Sequence, residues 1–497
     1  VGFRPEGADD DHPKEACGVL GVLSPGQPVA QLLADGLHAL QHRGQEAAGL
    51  AVTEDSRITV VKDVGLVTDV LDRHTIAALR GDLGIGHTRY STTGSSTWEN
   101  AQPCYCGTPT VQFALGHNGN LTNTVELAED VGLASIASRP GDLRATNDSD
   151  LIAGLLSVAL ESGAPETATL EGAMTETLPC LEGAFSLVVM DTTRMVGVRD
   201  PNGFRPLCLG SLGTGWVLAS ETAALDAIGA DFVREILPGE MVVIERDEAP
   251  RSIHPFPPDA IDPRLCIFEF VYMARPDSQL YGREVHGARV RMGEMLARKA
   301  PVDADIVMGV PDSGLPAAEG YANTSGIAYA SGLVKNRYIG RTFINPGQHE
   351  RERNARRKLN VLAERVDGKR LVVLEDSVVR GTTTRYLAKM LREAGATEVH
   401  LRVALPPVKW PCFYGIDIGT QSELLGASLS LEGMRELLGV DTIAFLNVDE
   451  LREAIGVPGA GFCDACMTND YPTPIRRATS KLALEDQEPS QLVARGN

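Results

Sequence analysis

In the first half of the chain, apolar residues gather in short runs of β character at 18–23, 185–190, 216–219 and 241–244. Two stretches of helical spacing, 31–40 and 150–160, fall among them. The pattern predicts a layered α+β domain. Residues 247–263 are rich in proline and charge and read as a linker. Beyond it the pattern becomes α/β. A strand at 305–310 runs into Pro311-Asp312-Ser313-Gly314, and a helix and a second strand at 327–330 follow. The unit then repeats. Leu371-Val372-Val373-Leu374 precede a loop and a segment with Leu387, Met390, Leu391 and Ala394 at helical spacing, and another strand follows at 399–405. Serial strand–loop–helix units predict a parallel sheet with ligands at the C-terminal ends of its strands. The tail, 472–497, is polar and without clear periodicity.

Length and charge narrow the field. At 497 residues the chain has room for two or three domains, and 43% hydrophobic with 23% charged residues is a globular composition. A net charge of -20 argues against nucleic acid or an anionic membrane as a partner. The best apolar run, 151–160, is too short to span a bilayer. Residues 1–16 are acid-rich, with Glu6, Asp9, Asp10, Asp11 and Glu15, and do not read as a secretory signal. Nine cysteines in a long chain suit a reducing cytoplasm better than a disulfide framework.

The most telling segment follows the strand at 371–374. Two acids, Glu375 and Asp376, lead through Ser377, Val378, Val379 and Arg380 to Gly381, Thr382, Thr383 and Thr384 at a helix start. Glycine and hydroxyls at a helix N-terminus suit a phosphate, whereas two carboxylates beside it would repel one. A ribose with free hydroxyls, or a bound Mg²⁺, resolves the conflict. No lysine follows the glycine, so this is not a P-loop. The segment resembles the phosphoribosyl pyrophosphate (PRPP) motif of type I phosphoribosyltransferases. It departs from the usual pair of aspartates at Glu375. The resemblance implies that Glu375, Asp376, Ser377 and Arg380 surround the ribose, that Gly381 and Thr382 to Thr384 hold the 5′-phosphate, and that Ser313 joins Glu375 and Asp376 around Mg²⁺. Residues 335–358, with Lys335, Arg337, Arg341, Arg351, Arg353, Arg356, Arg357 and Lys358, lie between the two loops and are expected to form a basic lid over pyrophosphate.

A second constellation lies near the N-terminus. Cys17-Gly18-Val19 is followed in order by His42-Arg43-Gly44-Gln45, Gly86-His87-Thr88-Arg89-Tyr90, His117-Asn118-Gly119-Asn120 and Asp148-Ser149-Asp150. A lone cysteine before a strand is most often a small buried hydrophobe. This set, however, resembles the class II glutamine amidotransferases, whose cysteine becomes N-terminal when a leader is removed. Residues 1–16 are then expected to be a propeptide. The α-amine of an exposed Cys17, titrating at about 8, would serve as its general base. By resemblance, Arg89 binds the glutamine α-carboxylate, Asp148 binds its α-amino group, and Asn118 with the Gly119 N–H forms the oxyanion hole.

Cys463-Asp464-Ala465-Cys466 is a metal-type pair, and Cys266 and Cys412 are isolated. Alone, a CxxC leaves redox pair, zinc site and chance open. The sequence contexts resemble those of the four thiolate ligands of a [4Fe–4S] cluster in one branch of the amidophosphoribosyltransferases. Cys104, Cys106, Cys180 and Cys208 are assigned to packing.

From Cys17 to about Tyr471 the chain resembles the amidophosphoribosyltransferases. The resemblance implies a four-layer αββα Ntn-hydrolase glutaminase domain (17–250), followed by a parallel-sheet type I phosphoribosyltransferase domain (264–471). It further implies PRPP and glutamine as substrates, Mg²⁺ and a [4Fe–4S] cluster as cofactors, feedback by purine nucleotides and a homotetramer. Tyr272 and Arg275 are expected near the junction of the two sites. Two rivals share parts of the pattern. Another class II amidotransferase would lack the PRPP motif, and a non-catalytic PRPP-sensing regulator would have no use for Cys17, Arg89, Asn118 and Asp148.

Overall fold

The apolar run after Cys17 becomes the strand Gly18–Leu23, buried at every position. The computed structural model that contains it describes residues 17–90, 97–107, 112–131, 147–162, 169–336, 359–418 and 420–475. The strand lies inside a seven-stranded antiparallel sheet, ordered Asp231–Glu235, Cys208–Leu212, Gly215–Ala219, Gly18–Leu23, Leu83–Arg89, Ala47–Glu54 and Arg57–Val64. Side chains alternate between its faces. Leu20 and Val22 pack under the helices Ala30–Ala39 and Thr222–Ile228. Val19 and Leu23 face a second antiparallel sheet.

That six-stranded sheet is ordered Arg251–Ile253, Met241–Glu245, Arg194–Arg199, Gly183–Met190, Gln112–Leu121 and Cys104–Gly107. Its outer face packs on the helices Asp148–Ser162 and Leu170–Thr177 through Phe185, Leu187, Ile152 and Met174. The result is four layers, helix–sheet–sheet–helix. The inner strands Gly18–Leu23, Leu83–Arg89, Gly183–Met190 and Met241–Glu245 are buried along almost their whole length, which is why they read as largely apolar runs. Each fully buried leucine or valine contributes about 1.5–3 kcal/mol.

The second domain is built on four parallel strands ordered Ile306–Gly309, Arg370–Glu375, Glu398–Val403 and Thr442–Phe445. Val372 and Leu374 point to the helices Val285–Lys299 and Leu315–Ser325. Leu371 and Val373 point the other way, to Thr382–Glu393 and Leu431–Leu438. Among the described residues no helix is long and apolar enough to cross a membrane.

Three expectations need correction. The stretch at 247–263 is not all linker, because Arg251–Ile253 pairs with Met241–Glu245 as the edge strand of the second sheet. The strand expected at 327–330 shrinks to one bridge between Tyr329 and Val307, at the sheet's edge where Tyr329 is exposed. Cys180, assigned to packing, is exposed at the end of a 3₁₀ turn. Of the basic segment, Lys335 lies in the strand Leu333–Lys335, which pairs antiparallel with Leu359–Val361. Residues 337–358, with the lid's arginines and Lys358, lie outside the described residues, as do residues 1–16.

Candidate functional site

Cys17 stands just before the strand Gly18–Leu23, whose register pairs Gly18 with Thr88. That register sets it beside the end of the neighbouring strand, where its Sγ–H donates to the Tyr90 carbonyl at 3.3 Å. Burial pushes the thiol up to about 11, against the Tyr90 contact and the Arg89 charge. A thiol so placed is a weak nucleophile until a base takes its proton. The facing sheet supplies Asn118 and Gly119 from the strand Gln112–Leu121, and Asp148 opens the helix Asp148–Ser162. Cys17, Arg89, Gly119 and Asp148 line one pocket of about 230 Å³.

The polar surroundings are specific. Asp148 accepts from the Leu121 N–H at 3.2 Å and the Ser149 N–H at 2.9 Å. Burial would raise its carboxyl, but His117 and these N–H groups outweigh burial and hold it below the ordinary carboxylate range. Neither the Nδ2 nor the Oδ1 of the fully buried Asn118 has a hydrogen-bond partner among the described residues. An unpaired buried amide costs about 1–3 kcal/mol. At Gly119 a side chain is impossible, since a Cβ would meet the Ala184 carbonyl oxygen at 2.0 Å.

At the parallel sheet, both strand-end loops converge. Ser313 donates to an Asp376 carboxylate oxygen, Ser377 Oγ donates to the other at 2.5 Å, and the Asp376 N–H reaches Glu375 Oε1 at 3.2 Å. Glu375, Asp376 and Ser377 are all buried, at 1%, 2% and 2% exposure. Lys335 Nζ lies 2.8 Å from Asp312 in the first loop. Gly381, at φ +76°, turns the chain into the helix Thr382–Glu393, where a Cβ would strike Leu425 at 2.3 Å. Thr382, Thr383 and Thr384 form the helix's first turn. Arg380, just before it, pairs with Glu423 at 3.2 Å.

Cys266, Cys412, Cys463 and Cys466 line a separate pocket of about 320 Å³, together with Phe204 and Tyr414. Strands Leu265–Cys266 and Phe462–Cys463 run parallel with Cys266 in register with Cys463. Burial and the neighbouring thiols push Cys266 up to about 12, and Cys463 and Cys466 well above the ordinary thiol range. Cys412 Sγ already accepts the Tyr414 N–H at 3.4 Å. Among the described residues no three metal-ligating side chains close on a point suited to one ion.

Comparison with known proteins shows the family. Residues 87–227 match a family described as a glutamine amidotransferase domain. The amidophosphoribosyltransferase of Mycobacterium tuberculosis is 50% identical over 488 residues, covering 97% of this chain and 90% of the relative. The chain belongs to the amidophosphoribosyltransferase family. The Bacillus subtilis member is 43% identical over 470 residues, covering 94% of this chain and 96% of its own. A solved structure of the B. subtilis glutamine PRPP amidotransferase, complexed with ADP and GMP, superposes with a TM-score of 0.85 at 41% identity, covering 94% of this chain and 100% of that one. Family members are glycosyltransferases with a glutamine amidotransferase activity in purine biosynthesis.

Within the family's framework, several residues carry the pocket without a readable signal in the sequence. Gln102 accepts the His117 N–H at 2.8 Å and donates to Ser149 Oγ at 3.0 Å, tying the strand to the helix start. Asn147 donates to Asn100 at 2.6 Å and Asp150 at 3.0 Å. Only the run Asn147-Asp148-Ser149-Asp150, typical of a helix cap, hinted at the second. The junction between domains was also unforeseen in detail. Buried Arg43 bridges Glu221 of the first domain and, at 2.6 Å, Glu269 of the second. Tyr272 lies on the π-helical turn Glu269–Met273, and the Arg275 N–H donates to Glu221 at 2.9 Å.

Proposed function

We propose that this chain makes 5-phosphoribosylamine, glutamate and pyrophosphate from PRPP, glutamine and water, at the first committed step of purine synthesis. The observation that carries the residue assignments is the one pocket lined by Cys17, Arg89, Gly119 and Asp148, with the Asn118 carboxamide, unpaired among the described residues, next to Gly119 on the same strand. With Cys17 at the N-terminus, its α-amine takes the thiol proton, and the thiolate attacks the glutamine carboxamide carbon. Arg89 holds the substrate α-carboxylate and Asp148, ionised at neutral pH, holds its ammonium. Asn118 Nδ2 and the Gly119 N–H hold the oxyanion as charge develops. Collapse to a thioester releases ammonia, and water then frees glutamate.

Ammonia passes within the protein to ribose C1 and displaces pyrophosphate. Gly381 and Thr382 to Thr384 hold the 5′-phosphate at the helix N-terminus, Glu375, Asp376, Ser377 and Arg380 surround the ribose, and Lys335 meets the pyrophosphate. Two adjacent buried carboxylates beside a serine hydroxyl are a hard-oxygen donor set that suits Mg²⁺. Ser313, Glu375 and Asp376 would hold it, and it would supply charge neutralisation for the leaving pyrophosphate. The four thiols fit a [4Fe–4S] cluster. They line one cavity, and thiolates are the ligands that such a cluster takes. Cys266, Cys412, Cys463 and Cys466 would hold it, and it would supply a structural cross-link between their segments. Free thiols of this kind suit a reducing cytoplasm. Purine nucleotide feedback and a homotetramer complete the reading, the first supported by the ADP and GMP in the B. subtilis structure.

Two measurements test this. Cys17→Ala should abolish glutamine-dependent pyrophosphate release and keep the ammonia-dependent reaction; loss of neither overturns the nucleophile. Protein prepared without air should hold about four irons per chain with a broad visible absorption. Colourless, zinc-loaded protein would instead make the thiol site a zinc site.

A further inference from the structure

The thiol pocket and the glutamine pocket share a wall. The strand that carries Asn118 and Gly119 also carries Asn120, whose Nδ2–H donates across the domain junction to the Phe413 carbonyl at 3.0 Å. Two residues on, Gly415 lies so close to the oxyanion peptide that a Cβ there would meet the C and O atoms of Gly119 at 3.1 Å. Its φ of +98° excludes most side chains as well. The loop between is clamped from the first domain: Arg205 donates to the Tyr414 carbonyl at 2.7 Å, and Phe204 stacks on Tyr414 with ring centres 4.1 Å apart. Ala184, whose carbonyl bounds Gly119, packs in the same cluster as Tyr414 and Cys463.

We infer that residues 412–415 of the second domain form the back wall of the oxyanion hole, with Asn120 and Gly415 as positioning residues for glutamine cleavage. The physical reason is the tolerance of the site. Oxyanion donors work only at about 2.7–3.1 Å from the developing charge, and a displacement of about 1 Å can cost about a hundredfold in rate. At Asn118 to Asn120 the strand pairs with Gly183–Met190 on one side, whereas its pairing with Cys104–Gly107 stops at Leu115, so strand pairing does not fix this segment along the direction normal to the sheet. The 412–415 loop supplies that constraint from the other domain, on the segment that begins at Cys412.

The inference rests on Asn118 and Gly119 as the oxyanion donors, so Asn118→Ala is made alongside. The test uses the full chain and compares Asn120→Ala with the near-isosteric Asn120→Asp, which turns an acceptor toward the Phe413 carbonyl. Three rates are read: glutamine-dependent turnover, ammonia-dependent turnover, and alkylation of Cys17 by iodoacetamide, a displacement that needs no oxyanion hole. Both Asn120 variants should lose roughly tenfold to a hundredfold in kcat with glutamine. Their KM for glutamine, ammonia-dependent rate and Cys17 alkylation should stay within about twofold, since none of these needs the oxyanion geometry. Gly415→Ala should give the same signature. Wild-type kcat in both Asn120 variants, with Asn118→Ala impaired, overturns the wall and leaves the oxyanion assignment standing. Parallel loss of all three rates also overturns it, as general damage. Full activity of Asn118→Ala overturns the assignment and the wall together.

Discussion

His87 shows how burial sets the charge state of a residue next to the chemistry. Its ring is fully buried, Nε2 contacts the His117 carbonyl oxygen at 2.9 Å, and Nδ1 has no partner among the described residues. Burial, with Arg89 nearby, pushes it down to about 3, although the His117 carbonyl pulls the other way. The stability consequence has a definite sign. Above its ordinary value of 6.5 the imidazole is neutral in both folded and unfolded chains, and its contribution is complete. As pH falls from 6.5 toward about 3, only the unfolded chain takes up the proton, so stability is lost. The loss approaches about 1.4 kcal/mol per pH unit. Urea unfolding at pH 7, 6 and 5 should show this slope in the parent chain, and His87→Gln should remove it. Equal slopes in the two proteins would mean that His87 is already protonated in the fold or open to water.

At the scale of elements, legibility followed burial. The strands at 18–23, 185–190 and 371–374 are readable because each is buried on both faces, so that the apolar runs fall within one or two residues of the observed strands Gly18–Leu23, Gly183–Met190 and Arg370–Glu375. Arg251–Ile253 was not, because an edge strand with one exposed and two half-buried residues carries little apolar signal. The strand expected at 327–330 failed for the opposite reason: Ile327 and Tyr329 suggested a core strand, but they end at the sheet margin with one bridge. Cys17, Arg89, Gly119 and Asp148 are legible from motif order, and the fold brings these four from two sheets and a helix start to one pocket, with Asn118 next to Gly119 on its strand. Gln102 and Asn147 escaped because what selects them is three-dimensional. Each joins polar groups from segments distant in sequence, and the cap spacing from Asn147 to Asp150 is the one local sign of them. The same holds for the 412–415 loop, whose partners lie 209 positions away for Arg205 and Tyr414 and 293 for Asn120 and Phe413.

The whole molecule depends on how its two domains are joined, and charge does much of that joining. Arg43, Arg205, Glu221 and Glu269 are all essentially inaccessible to solvent. Burial would lower Arg43, but Glu221 and Glu269 outweigh it and hold the guanidinium firmly charged. Glu221 is likewise kept well below the ordinary carboxylate range: burial opposes ionisation, and Arg43, His42 and Ser278 overcome it. Because Glu221 also accepts from Ser278 at 2.6 Å and from the Arg275 N–H at 2.9 Å, it holds the start of the second domain against the first. Glu269 completes the link by facing both Arg43 at 2.6 Å and Arg205 at 3.5 Å. Removing one member leaves an uncompensated buried charge, at a cost of about 3–5 kcal/mol. Glu269→Gln should therefore destabilise the chain by that amount, with Arg43 and Arg205 both left partly unanswered. Arg43→Met should cost a similar amount through Glu221 and Glu269. Combined, the two changes should cost less than their sum by at least about 1 kcal/mol, because the second removes a charge the first had stranded. Denaturant unfolding of the four proteins in the cycle measures that coupling. Simple additivity would show that water or local rearrangement relieves each charge separately, and that the Arg43–Glu269 pair does not couple the domains.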